Sequence, residues 1–407
     1  MILGTAWRRG LAAGLAAVSV SVGAACTSTH PAPAEQPGDD SLMRTMAPMT
    51  GTPSAWPSAS TGPEGPLPGM PPPLDPRDLY AADRPNLLAS AVSHDPQRVY
   101  VPNNQGASVS VIDPGSYRVI QIVPVPVSPE HVVPSWDLRT FWVNSDRGNA
   151  LTPIDAATGR FGKPVPVEDP YNLYFTPDGK WAIVMAEAKH QIVFRDPHTF
   201  AVHRTVPVSC QGVNHVDFSP DGRYFIASCE YSGDLLKVDT EREKVIGQLH
   251  LSGEHPMPQD VKISPDGKTW YVADMSSSGV WILNGDAFTK PRFLPTGAGA
   301  HGLYVSRDSR FLYITNRGEG SISLLEFATG KLVAKWQLPG GGSPDMGGLS
   351  ADGTVMWMSG RYDGVVYAID TRNGHLIRKI KVGAEPHGLL IWPQPGRYSL
   401  GHTGIMR

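Results

Sequence analysis

The chain has 407 residues, with 35 lysines and arginines against 38 aspartates and glutamates, and a formal charge of −3. A slightly acidic chain without a basic run argues against nucleic-acid binding, which depends on neutralising phosphates. Hydrophobic residues make up 41% of the chain, enough for a sizeable core. No apolar stretch reaches the ~20 residues that a membrane-spanning helix needs.

Residues 1–25 read as an export signal. Arg8 and Arg9 supply the charged start, Leu11 to Val22 the apolar region, and Gly23-Ala24-Ala25 the small residues before Cys26. The Arg8-Arg9 pair is similar to a twin-arginine signal. Gly23 to Cys26 resembles a bacterial lipobox, with Gly23 where that pattern favours Leu. Two outcomes stand side by side: plain cleavage after Ala25, or lipidation at Cys26. Either exports the mature chain to the cell envelope or beyond. Contact with the membrane is then expected only through a lipid on Cys26.

Residues 26–84 change in composition. They are rich in Pro, Ser, Thr, Gly and Ala, with "PSASTGPEGPLPGMPPP" at their heart. Proline donates no amide and resists helix and central strand alike. Such a stretch buries too little apolar surface to offset its ordering entropy. It is expected to be a disordered, semi-extended tether.

Residues 85–407 are repetitive. "FTPDGKWAIV", "FSPDGRYFIA", "ISPDGKTWYV" and "LSADGTVMWM" begin at Phe175, Phe218, Ile263 and Leu349. Weaker copies bring the turn aspartates to seven: Asp95, Asp137, Asp178, Asp221, Asp266, Asp308 and Asp352. Their spacings of 42, 41, 43, 45, 42 and 44 residues define a repeat architecture. Each period holds four short runs of alternating, β-branched and aromatic residues between turn residues, which reads as four strands. The expected fold is all-β: a seven-bladed β-propeller with four antiparallel strands per blade. Its ring should be closed by the C-terminal strand Gly388 to Trp392, because "PHGLLIWP" is a better strand than "LLASAVS" near Leu88.

"YVPN" at Tyr100, "YITN" at Tyr313, "YVAD" at Tyr271, "SVSVID" at Ser108 and "GVVYAID" at Gly364 resemble the YVTN-type β-propeller repeat. The resemblance implies the fold strongly and a function weakly, because propellers host many activities. Relatives of this type include lactonase-like enzymes and a haem-binding domain.

Within a blade, "SPDG" joins the first strand to the second, where Asp and Gly supply turn chemistry. That side of the disc is the back face. The residues leading into each first strand lie on the front face. They include Glu130-His131, Asn214-His215, Gln259-Asp260, Ala300-His301, Asp345-Met346 and Pro386-His387. The ends of the second strands add Arg317 and Arg361. The expected ligand-binding set at the channel mouth is therefore His131, His215, Asp260, His301, Arg317, Asp345, Arg361 and His387. Imidazole suits a metal or a proton, and arginine suits an anion. The alternative for the same residues is a water-filled channel.

Cys210 precedes its blade's first strand and Cys229 ends the second, so a disulfide between them is expected. No CxxCH, HExxH, GxSxG or phosphate-binding loop occurs, so no cofactor and no catalytic residue is implied. The expected role is a monomeric, non-catalytic binding module for an envelope protein or a small ligand. A lactonase-like or other hydrolase, with His215 or His301 as base, and a metal or tetrapyrrole carrier are the alternatives. Which metal, if any, is left open.

Overall fold

In the computed structural model, residues 65–407 are described. They form seven antiparallel sheets of four strands each, arranged as blades. The innermost strands are Pro129–Pro134, Asn172–Phe175, Val213–Phe218, Pro258–Ile263, Ala300–Val305, Pro344–Leu349 and Leu390–Trp392. No helix among the described residues is long and apolar enough to cross a membrane.

The repeat encodes its own turns. In "SPDG" at Ser219, Asp221 Oδ1 accepts from Ser219 Oγ at 2.6 Å and from Arg223 N at 3.0 Å. Asp266 repeats the pattern with Ser264 at 2.6 Å and Lys268 N at 3.2 Å. Gly222 and Gly267 follow at φ +69° and +71°, where a side chain would be strained. These aspartates are turn caps, as their position in the repeat implies.

Ring closure follows the C-terminal expectation. Leu390–Trp392 pairs antiparallel with Arg98–Asn103, with Arg98 opposite Trp392 and Tyr100 opposite Leu390. Trp392 Nε1 donates to Asp95 at 2.8 Å, so the aspartate of one of the weaker repeat copies anchors the closing strand. Leu88, the competitor for this place, makes only an isolated bridge to Gly396. The core lies between blades. Val99, Ile112, Trp357, Val366, Leu389 and Ile391 share one buried cluster that joins the last blade to the first. Tyr100, Phe141, Leu390 and Trp392 share the next.

For residues 65–84 the tether reading needs correction. Leu67, Leu79 and Tyr80 are buried. Leu67 N donates to Asp221 O at 2.7 Å, and Leu79 N to Pro265 O at 2.8 Å. A proline-rich strand-poor segment still orders when a few apolar side chains find a prebuilt surface, here the back-face turns. Residues 26–64 and the export segment 1–25, with Cys26, lie outside the described residues.

Cys210 and Cys229 form a disulfide, with Cα atoms 6.0 Å apart and 19 residues of separation. Cys229 pairs with Val213 across the first two strands, which places Cys210 beside it. The link closes a loop of ~20 residues, for which the chain-entropy argument assigns about 3 kcal/mol. Replacing both cysteines by serine is expected to lower the melting temperature by roughly 5 °C in calorimetry. An unchanged melting temperature would show that the bond adds nothing to stability.

Candidate functional site in the channel

Five of the seven inner strands break register near the front face. The shifts fall between Pro129 and His131, Val213 and Val216, Pro258 and Val261, Ala300 and Leu303, and Pro344 and Gly347. A bulge re-aims side chains that a flat ladder would bury between blades. His131, His215, His301 and Asp345 sit at such shifts.

The four expected histidines converge. Ring centroids are 5.7 Å apart for His131 and His215, 4.9 Å for His131 and His387, 6.4 Å for His215 and His301, and 5.8 Å for His301 and His387. All four are at most 2% exposed. Close approach is possible because Gly388 faces the first ring: a Cβ there would meet His131 Cδ2 at 2.2 Å.

Asp345 organises one side of the cluster. Its Oδ2 lies 2.7 Å from His387 Nδ1, and its Oδ1 lies 3.0 Å from His301 Nδ1 and 3.1 Å from Arg317 Nη1. Burial alone would raise its pKa. The neighbouring His301, Arg317 and His387 outweigh burial and hold it well below the ordinary carboxylate range. Arg361 lies 3.5 Å from Glu130 and 4.0 Å from Asp345. Both arginines on the wall are thus paired by carboxylates of the chain itself.

Asp260 plays a different part. Its two carboxylate oxygens accept from Val261 N and Leu303 N, both at 2.9 Å. It staples neighbouring inner strands, as Asp217 does through Phe218 N and Ile263 N. Above the imidazoles stand Glu130, Glu187 and Glu230. Asn214 Nδ2 donates to Glu230 at 2.8 Å and to Glu187 at 3.3 Å. Burial, and for Glu187 the charge of Glu230, push Glu130 up to about 7 and Glu187 to about 9. Glu187 therefore keeps its proton near neutral pH, and the two arginines have Asp345 and Glu130 as their partners.

A fifth imidazole arrives from outside the repeat. After the closing strand, residues 398–407 run along the inner strand Asn172–Phe175, inside the ring. Phe175 N donates to Leu400 O at 3.0 Å and His402 N to Leu173 O at 2.9 Å. Gly401 makes this approach possible. It stands at φ +105°, and a Cβ would meet Leu173 O at 2.4 Å. His402 is 1% exposed, with its ring 5.0 Å from both His131 and His215. The tail is held at its far end by Arg407, whose Nη2 donates to Asp217 at 2.7 Å and whose guanidinium lies 4.7 Å from the Tyr80 ring. Sequence reasoning missed His402 because it belongs to no repeat. The flanking glycines of "GHTG" were its one signal. His255 and Arg147 are exposed and so are not among these buried groups.

Five imidazole nitrogens here are buried without a hydrogen-bond partner: Nε2 of His131, His215, His387 and His402, and Nδ1 of His301, which lies 3.0 Å from Asp345 Oδ1 but outside hydrogen-bond geometry. Burial lowers the pKa of His131 to about 4 and holds His215, His387 and His402 well below 6.5. All are neutral, and neutral imidazole is the form that can act as a ligand.

Fold and site together define a closed seven-bladed propeller with an imidazole-lined channel. The chain belongs to the YNCE-like beta-propeller family, which it matches over residues 88–395. The YVTN-type repeat seen in the sequence is a closely related propeller type. No curated protein matches the sequence. Among solved structures, Kuenenia stuttgartiensis hydrazine synthase is similar at 22% identity and a TM-score of 0.57, covering 67% of this chain and 92% of that one. A dihydro-heme d1 dehydrogenase in complex with DHE is similar at 15% identity and 0.56, covering 79% and 78%. A functionally unknown protein from Desulfotomaculum acetoxidans is similar at 15% and 0.57, covering 72% and 98%. At such identities the likeness is one of fold.

Proposed function

We propose that this propeller is an exported, non-catalytic binding module that takes a small ligand into its channel through the front mouth. The observation that carries the reading is the set of buried imidazole nitrogens without partners, Nε2 of His131, His215, His387 and His402 with Nδ1 of His301, around one axial space. Buried polar atoms are nearly always paired, and each left alone costs about 1–3 kcal/mol. An occupant that pairs them accounts for their convergence. The chemistry favours a cation over the anion that the arginines alone implied, since Arg317 and Arg361 already pair with Asp345 and Glu130.

A hydrolytic role has less support. His215 and His301, the candidate bases, are 0% and 2% exposed, and His301 lies against Asp345. A tetrapyrrole also has less support, because rings 4.9 to 6.4 Å apart leave no slot for a macrocycle between them. Docking of an envelope protein is a second reading. Two aromatic residues next to the mouth positions, Tyr231 and Tyr362, are 58% and 67% exposed. Export agrees with the disulfide, which persists in oxidising compartments. The lipid anchor at Cys26 remains part of this proposal.

The test is a thermal-shift panel of Zn2+, Cu2+, Ca2+, spermidine and citrate on protein purified without chelator, with native mass spectrometry for a co-purified occupant. A cation at about 100 times its dissociation constant is expected to raise the melting temperature by roughly 5 °C. The His215→Ala/His301→Ala double variant is expected to lose that shift. No shift with any probe and no bound mass would overturn the binding reading.

A further inference from the structure

We propose that His131, His215 and His402 form a three-imidazole site for one borderline transition-metal ion of the Zn2+ or Cu2+ class, completed by the C-terminal tail. The proposal deepens the binding reading and rests on it only in placing the occupant inside the channel. One potential ligand atom from each of the three residues lies within 4.8 Å of the others, and all three residues are buried. A single ion at the centre is the smallest occupant that would engage all three.

The groups behind the rings decide what each nitrogen offers. His131 Nδ1 donates to the Tyr171 carbonyl at 3.0 Å. His215 Nδ1 donates to Asn214 Oδ1 at 3.0 Å, and that amide is oriented by its Nδ2 bond to Glu230. An acceptor behind each ring fixes its tautomer and leaves the Nε2 lone pair for the channel. His402 is different. Its Nδ1 receives Asn172 Nδ2 at 3.0 Å, so its proton sits on Nε2. Without a metal ion the three rings present two lone pairs and one N–H, a pattern that one water molecule satisfies.

A metal ion requires the third lone pair. Loading therefore moves the His402 proton from Nε2 to Nδ1 through water. The Asn172 amide turns to accept it on Oδ1, giving up its bond from Leu173 N at 2.9 Å. One N–H bond breaks and one forms on the same ring, and no proton is released overall. Neutral imidazoles, with neither thiolate nor carboxylate in the set, suit zinc or copper better than magnesium or calcium. Three protein ligands leave a position open for water or a small ligand.

The experiment is competitive calorimetric titration of the chelator-stripped mature chain with Zn2+ and with Cu2+, plus X-ray absorption on the loaded protein. One equivalent with three nitrogen neighbours is expected. His131→Ala, His215→Ala and His402→Ala should each weaken binding by roughly 100-fold or more. His402→Gln, which keeps a polar side chain on the tail, stands in should the alanine variant fail to fold. Asn172→Asp should tighten binding about tenfold, because a carboxylate accepts the Nδ1 proton without turning. A merely structural histidine cluster would not respond in that direction. No stoichiometric binding, or binding unchanged in the triple alanine variant, overturns the site. Should spermidine or a co-purified organic molecule bind while both metals do not, the channel-binding reading stands and the metal site falls.

Discussion

A chain that stops after Glu385 is expected not to fold. Its loss removes the strand Leu390–Trp392 and with it the innermost strand of the first blade. Leu389, Leu390, Ile391 and Trp392 are each at most 4% exposed and belong to the two clusters that join the ends of the ring. Burying such side chains contributes about 1.5–3 kcal/mol apiece. Four of them amount to about 6–12 kcal/mol, comparable with the whole stability of a typical domain. The open edge at Arg98–Asn103 would also invite pairing between chains. Far-ultraviolet circular dichroism and calorimetry decide the matter: a cooperative transition within a few degrees of the full chain would refute this account of closure. A chain that begins at Pro85 keeps the ring. It loses only Leu67, Leu79, Tyr80 and their neighbours on the back face, and it is expected to melt cooperatively at a lower temperature.

The second large effect is in acid. Five buried imidazoles have pKa values lowered by burial, His131 to about 4 and His301 to about 3, with His215, His387 and His402 well below 6.5. Such groups contribute stability above pH 6.5 that is lost as pH falls, because the unfolded chain takes protons that the folded one refuses. Each contributes up to about 1.4 kcal/mol per pH unit. Buried carboxylates oppose them. Asp83, Asp169 and Asp260 are raised to about 6, Glu130 to about 7 and Glu187 to about 9, each chiefly by burial. They hold protons in the folded state and add stability as pH falls towards their unfolded values, near 4. The two sets offset each other between about pH 6.5 and 4.5. Below that the carboxylates titrate in both states, and the imidazoles act unopposed. Urea unfolding of chelator-treated protein should show a plateau followed by a steep loss below about pH 4.5. The Glu130→Gln/Glu187→Gln variant, with part of the offset removed, should begin to lose stability nearer pH 6.5. A wild-type curve that falls steadily from pH 6.5, or a variant that does not differ, would contradict this balance.

The blades were legible because a propeller is built from neighbours. Each "SPDG" turn, each four-strand run and the Cys210–Cys229 pair depend on residues within one period of about 43. The closing strand was legible for the same reason: a blade with three strands must find its fourth. The convergence of His131, His215, His301 and His387 followed from their equivalent places at the starts of inner strands. The chemistry those rings can perform did not follow. Which nitrogen faces the axis depends on Tyr171 O, Asn214 and Asn172, groups on adjoining blades or adjacent in the chain that no pattern singles out. Asp345 meets Arg317 and Arg361 because its strand breaks register beside it while the two arginines follow the ends of second strands in neighbouring blades. The order of residues 65–84 and the arrival of His402 rest on contacts with turns and strands more than a hundred residues away in sequence. Such contacts carry no period. The sequence alone determined the ring, its turns and its covalent link. Only the tertiary structure decided what lies on the axis, because the axis is where all seven blades and the tail meet.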